Sequence, residues 1–328
     1  MYRFSLGKLV TVCPQCGRRT FKPYIDNRTG RPLDAAVCGR CNREVKCGYH
    51  LPPAQCPGGE ASRLPFPPGW HGRRDAAPPM RPDFLKTPPA PTVDSLRADN
   101  LFRCMAARFG EDRALAVFTA YRVHHCAWEG RRAASQAIRA ETGGGTPPLP
   151  GGATAFFLLD SQMCCRSAKL MRYNSDGHRR KSDNPAANVT WLHSLMGLKG
   201  FRYCGCFFGA HLAAARPDAR LVLVESEKTA LALACDDDAD SVVYMATGGA
   251  SAINPKHYDP ADEYSRFDVL RGRDVVLYPD ADMVPRWDEA AGALRSLCRT
   301  VSVVDITAPP FSLTASQDMA DLLLDSNF

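Results

Sequence analysis

The chain has 328 residues, 45% of them apolar, and a formal net charge of +6. That length fits roughly two domains with appendages, and the apolar share is enough for a sizeable core. No run approaches the ~20 apolar residues of a membrane span, and the start, MYRFSLGKLV, lacks the apolar region of a signal peptide, so a soluble, cytoplasmic protein with no membrane partner is expected.

Lysine and arginine gather in the first 50 residues and between Arg166 and Lys181, whereas acids gather around 225–240 and 259–289. Such clustering favours a polyanion as partner. The fourteen cysteines, in a chain of cytosolic character, point to metal ligation or buried thiols rather than disulfides.

Residues 1–56 read as a zinc-ribbon module that binds nucleic acid. CPQC (13–16) and CGRC (38–41) give the C-x2-C…C-x2-C spacing of a tetrahedral Zn2+ site. The run continues as CNREVKCGYH, so Cys47 and His50 compete with Cys38 for a ligand position. Gly17 and Gly48 each follow a cysteine and suit a tight knuckle, while Asn42 follows Cys41. Arg18, Arg19, Lys22, Arg40 and Arg43 alternate with Phe21, Tyr24 and Tyr49, a mixture in which cations track phosphates and rings stack on bases.

Residues 57–91 are rich in Pro and Gly and read as a semi-extended linker. WHGRR (70–74) within it, and GRR (130–132) further on, are alternative contacts to nucleic acid. Residues 92–215 read as a helical and β-hairpin subdomain. Helices are expected near Ser95 and Glu111, a flexible insertion over 141–152, strands over 153–160 and 166–179, and a turn at Asp176–Gly177. Lys169 and Arg172 are read as a basic strip on the second strand. Cys104, Cys126, Cys164, Cys165, Cys204, Cys206, Cys235 and Cys298 lack ligand spacing and are assigned to the core.

From 216 to 328 strands and helices alternate: strand 221–225, helix 227–235, strand 241–246, strand 274–279, helix 285–298 and strand 300–307. That alternation predicts a parallel α/β sheet with right-handed crossovers. Glu225 closes one strand, and Asp280 and Asp282 close another, where open α/β sheets bind ligands. On an extended segment alternate residues share a face, so the two aspartates are expected to reach one hard cation together. Glu227 is either a helix-end charge or a further ligand. Lys228 contacts a phosphate or pairs with an acid. Gly248 and Gly249, in the turn ATGGAS (246–251), are read as bare amides for a phosphate. Asp318 and Asp321 are given no chemistry.

At Glu225, Asp280 and Asp282 the chain resembles the Toprim domain of primases, topoisomerases and related nucleases, in which a glutamate and a DxD hold Mg2+. It departs from that pattern after the DxD, where DADMVPRW lacks the usual glycine. More broadly, the finger pattern together with WLHSLM (191–196), VESEKTA (224–230), ATGG (246–249) and LYPD (277–280) resembles a family of bacterial Toprim-like proteins, the DUF6371 type. The resemblance implies Cys13, Cys16, Cys41 and Cys47 as the zinc set, with Cys38 as a spare. It also implies a Toprim-like Rossmann-type domain with Glu225, Asp280 and Asp282 catalytic and Mg2+ on the two aspartates. The expected activity is primase-like nucleotidyl transfer in replication of a mobile element. Single-stranded DNA or an RNA/DNA template, nucleotides and a replicative helicase are the expected partners. A non-catalytic DNA-binding or regulatory protein and a Mg2+-dependent nuclease are the rival readings.

Overall fold

The computed structural model describes residues 4–7, 10–27, 29, 31–33, 37–43, 47–56, 82–126, 152–180, 189–198, 200–237, 240–249, 252–253, 262, 264–314 and 317–324. The proposed contacts at 70–74 and 130–132 lie outside these residues, as do most of the linker and the 141–152 insertion. The chain divides into two compact units, Met1–Ala76 and Ala77–Phe328. No helix among the described residues is long and apolar enough to cross a membrane.

The first unit is an antiparallel sheet of five short strands: β1 (Phe4–Leu6), β2 (Thr11–Val12), β3 (Arg19–Asp26), β4 (Gly39–Cys41) and β5 (His50–Leu51). Their order is β1-β3-β4-β5, with β2 also paired to β3. Among the described residues its buried hydrophobic cluster is Cys13, Phe21 and Cys41, with Cys16, Cys47 and Tyr49 packed around them. So small a core needs a cross-link or metal to hold it. The first unit has a disulfide and, in Cys13, Cys16, Cys41 and Cys47, a set of sulfurs able to hold a metal. Cys38 is bonded to Cys56, with Cα atoms 5.6 Å apart, which corrects the expectation that no cysteine pairs and removes Cys38 as a ligand.

The second unit begins with three helices, α1 (Val93–Arg97), α2 (Asn100–Phe109) and α3 (Glu111–Ala120). The first two starts are set by side-chain caps: Thr92 accepts from the Ser95 amide and Asp99 from the Phe102 amide. An antiparallel sheet follows, ordered β6 (Val123–Cys126), β7 (Ala153–Leu159), β8 (Cys165–Arg172), β9 (Val189–Trp191), with two short helices after it, α4 (Leu192–Leu195) and α5 (Ala210–Ala215).

The parallel sheet comprises β10 (Arg220–Val224), β11 (Val242–Ala246), β12 (Asp274–Tyr278) and β13 (Thr300–Val303), in the order β11-β10-β12-β13. Helix α6 (Glu227–Asp236) links β10 to β11, α7 (Val284–Leu294) links β12 to β13, and α8 (Met319–Leu324) follows. This is the expected α/β, Toprim-like architecture. Strand β13 is shorter than read from sequence: Asp305 Oδ1 accepts from the Thr307 amide at 2.9 Å, and this local turn ends the extended run.

One face of the sheet, with Leu221, Leu223, Val243, Met245, Val275 and Leu277, packs on Trp287 and its neighbours in α7. The other, with Val222, Val224 and Ala246, shares a core with Phe102, Phe118 and Phe156 from α2, α3 and β7. Segments 92–215 and 216–328 are thus joined by one core. Of the eight cysteines assigned to it, Cys165, Cys206, Cys235 and Cys298 are buried, while Cys104, Cys126, Cys164 and Cys204 are only half-buried.

Candidate functional site

Two constellations carry chemistry, one in each unit. In the first unit the sulfurs of Cys13, Cys16, Cys41 and Cys47 all lie within 4.8 Å of one another. Each knuckle turns at a glycine with positive φ, Gly17 at 65° and Gly48 at 68°. His50 is not part of the set, because its Nε2 bonds Tyr24 Oη at 2.8 Å. The amide of Arg18 draws the Cys16 thiol down to about 6. Cys47 has the Tyr49 amide in its favour, yet burial and the three other sulfurs push it up to about 12. Such a set cannot carry four thiolates alone; a tetrahedral divalent cation supplies the missing charge, so the donors fit a structural Zn2+. The stacking expected of the rings fails at Phe21, which is fully buried beneath the sulfurs, and Tyr49 is tied to the Val37 carbonyl.

In the second unit, β10 has β11 on one side and β12 on the other, so the chain order reverses at β10. The crevice at such a switch point lies beyond the carboxyl ends of the strands. Glu225 follows β10 and Asp280 follows β12, and both line a cleft of ≈ 710 Å³. The Asp280 amide donates to Glu225 Oε1 at 3.3 Å. Burial, with the charges of Asp282 and Asp318 adding to it, pushes the Glu225 carboxyl up to about 7. Burial and then the neighbouring carboxylates, Glu225 foremost, push Asp280 up to about 8.

Asp282 is placed differently from the expectation. The chain does not stay extended after Asp280: the Met283 amide donates to the Asp280 carbonyl at 2.8 Å, and the turn leaves Asp282 exposed and off the cleft lining. Its charge still reaches Glu225 and Asp280. The absent glycine is explained by the same turn, since Met283 has φ −110°, a conformation open to any residue.

The basic residues are largely engaged. Lys169 Nζ donates to Glu227 Oε2 at 2.9 Å and to the Gly248 carbonyl at 3.1 Å. Lys228 Nζ donates to Asp321 Oδ1 at 2.9 Å, with Asp318 Oδ1 3.9 Å away. Arg172 is three residues from Lys169, hence on the opposite face of β8, and it does not line the cleft. The strip read from sequence is therefore two unrelated residues. Nor are the glycine amides bare. Gly248 donates to the Glu225 carbonyl at 3.0 Å and Gly249 to Thr247 Oγ1 at 3.5 Å. Gly248 matters instead for its φ of 81° and for the Glu227 carboxylate, which would stand 3.3 Å from a Cβ there.

Asp318 and Asp321 were the missed residues. Each amide bonds the other's carboxylate, at 3.1 and 2.9 Å, a reciprocal cap on α8 that turns both acids toward Lys228 and the cleft. The D-x-x-D spacing before an apolar run was the available signal. Exposed Arg179 and Arg180, from the hairpin turn after β8, complete the lining without a described ion pair. Among the described residues only the cysteine set brings three or more ligand atoms within 4.8 Å.

A model of a domain of unknown function, DUF6371, matches residues 143–281, and one of a zinc β-ribbon finger matches residues 2–60. Among solved structures the chain is similar to the Aquifex aeolicus primase (zinc-binding and RNA polymerase domains), at 12% identity and a TM-score of 0.41, covering 71% of this chain and 59% of that one. It is similar also to the RNA polymerase domain of Mycobacterium tuberculosis primase DnaG, at 13% identity and a TM-score of 0.35, covering 71% and 80%. The chain thus spans under two thirds of the Aquifex fragment. No curated protein matches.

Proposed function

For a chain that carries a DUF6371 domain behind a zinc β-ribbon, we propose Mg2+-dependent phosphodiester chemistry on nucleic acid, with primer synthesis as the reaction. The observation that carries this reading is the pair Glu225 and Asp280, on neighbouring strand ends, joined at 3.3 Å and holding raised pKa values of about 7 and about 8. Acids so placed are poised to exchange protons or take up a cation near neutral pH. The Toprim resemblance at Glu225, Asp280 and Asp282 and the zinc ribbon on the same chain support the nucleotidyl-transfer form.

Asp280 and Glu225 are the residues that would hold Mg2+, with Asp282 adding charge from the adjoining turn. The chemistry a bound Mg2+ supplies is neutralisation of phosphate oxygens and activation of an attacking hydroxyl. Glu225, when it is not itself a ligand, is placed to accept the proton of that hydroxyl. Arg179 and Arg180 face the cleft from its rim and would meet the strand's phosphates.

A second reading, a non-catalytic nucleic-acid binder, is favoured by one observation: Lys228 already neutralises Asp321 and lies near Asp318. Primer synthesis on single-stranded DNA with Mg2+ or Mn2+, run beside a nicking assay, separates the readings. Wild type should extend, and Asp280→Asn should lose more than about 100-fold of that activity. Nicking without synthesis would select the nuclease. Neither activity, together with intact strand binding, would leave the binder.

A further inference from the structure

Exposed apolar side chains are unevenly spread over the second unit. Among the described residues of the whole chain, Val12, Met163, Met196, Leu198 and Tyr203 are the exposed large hydrophobics, and three of them fall within 196–203. The same stretch holds a column of rings. His193 stacks on Phe201, with centroids 5.1 Å apart and planes 11° apart, and on Tyr203 at 5.1 Å and 20°. Tyr203 meets Trp191 at 5.2 Å. His193 Nδ1 and Ser167 Oγ share a hydrogen bond at 2.7 Å, which fixes the imidazole plane. Burial lowers the His193 pKa and raises that of Tyr203, so at neutral pH both are uncharged planar rings. A column that belonged to the core would be hidden along its whole length, yet Tyr203, between Trp191 and His193, is 38% exposed.

The column adjoins the cleft. In the register of β8 with β9, Trp191 stands opposite Lys169 and Val189 opposite Met171. Cross-strand partners share a face of a sheet, and Lys169 and Met171 both line the cleft. Trp191 therefore lies on the cleft's side of the edge strand, beyond the residues that line the cleft, and the other rings pack outward from it. One cation adjoins them, Arg266, whose guanidinium reaches the same backbone position, Gly205, as the Tyr203 hydroxyl, while Arg179 and Arg180 stand on the cleft rim toward the other end of β8. Exposed rings beside arginines are complementary to a chain that alternates flat bases with phosphates. A duplex, whose bases are already stacked, offers them nothing to hold.

We propose that the Trp191–Tyr203–His193–Phe201 column is an aromatic platform against which an unpaired base of a single strand entering the cleft packs, with the exposed edge of Tyr203 as the contact. The proposal rests on the cleft being a nucleic-acid site and adds which strand form it takes and where the base is held. An apolar protein segment seated on Met196 and Leu198 is the competing occupant.

The test uses the full chain and fluorescently labelled single-stranded DNA, with an abasic strand of the same length and a duplex as companions. Wild type should bind the normal strand more tightly than the abasic one. Tyr203→Ala should weaken the normal strand by about 5- to 100-fold and leave abasic and duplex binding unchanged, while Tyr203→Phe, which keeps the ring, should bind like wild type. The comparison of normal and abasic strands on wild type holds even if Tyr203→Ala folds poorly. Equal affinity of wild type for both strands, or of Tyr203→Ala and wild type for the normal strand, would overturn the platform while leaving the cleft as a nucleic-acid site. Failure of wild type to bind any strand would overturn both.

Discussion

The cysteine set and the carboxylate cleft solve the same problem, like charges brought close together, in opposite ways. The four sulfurs are gathered within 4.8 Å by two glycine knuckles around a core too small to stand by itself. The carboxylates stand apart around a ≈ 710 Å³ cleft, on a sheet with a hydrophobic core against each face. One site lies inside the small core it would hold together. The other stands on a sheet with cores on both faces, its acids met by Lys169 and Lys228 and raised in pKa at Glu225 and Asp280. The difference teaches that closeness of ligands marks a structural ion, whereas neutralised acids at strand ends mark a site left free to change its occupant.

Stripping the metal is the harshest way to break this comparison. Structural zinc binding is worth about 10–16 kcal/mol in isolated fingers, so Cys41→Ser should lose zinc by elemental analysis and unfold the first unit. Melting of the second unit should not move. A variant that retained full zinc would show that the four sulfurs do not act as one site.

Next in size is Lys228→Met. It leaves Asp318 and Asp321 largely buried without their cation, and should cost about 2–3 kcal/mol in urea unfolding. Adding Asp321→Asn should recover part of the loss. No loss from the single change would mean that the acids find solvent more readily than their burial suggests.

The pH dependence sharpens the contrast. Glu225 and Asp280 bind protons more tightly folded than unfolded, with folded values of about 7 and about 8 against ordinary carboxylate values. Their contribution to stability is complete in acid and is lost as pH rises through those folded values. Mg2+ must displace the same protons, so the melting-temperature gain it gives should be small at about pH 6 and larger at about pH 9. A gain independent of pH would remove Glu225 and Asp280 as its ligands. The smallest effect is expected from Gly248→Ala, about 1–2 kcal/mol, from the left-handed φ and the crowding of Glu227. A neutral result in thermal melting would show that the turn relaxes.

What could be read in advance was whatever a residue's immediate neighbours decide. The apolar runs ending in Glu225 and Asp280 were legible because strand length and burial are local properties, and so were the knuckles around Cys16 and Cys47. Arg172 was misjudged through a miscount of period: three residues along a strand reverse the face. Asp282 was misjudged because a turn, not an extension, follows β12. The Gly248 and Gly249 amides were invisible for a different reason, since which carbonyl an amide finds depends on the neighbouring strand. Lys228 with Asp318 and Asp321 spans 93 residues of sequence at its longest reach, beyond any local pattern.

The strand order has a consequence for the time at which the site comes into being. Strand β10 lies between β11 and β12, so Val224 pairs with Ala246 and with Tyr278. Glu225 can therefore be held across from Asp280 only after more than fifty further residues have left the ribosome, and Lys228 waits longer still, for Asp321. Contacts so distant in sequence form slowly, because the loops they close must be ordered first. During synthesis the chain can hold a finished metal-bound ribbon while the acidic cleft does not yet exist. The ribbon is thus the part whose contacts are complete first, and the acidic cleft is assembled last.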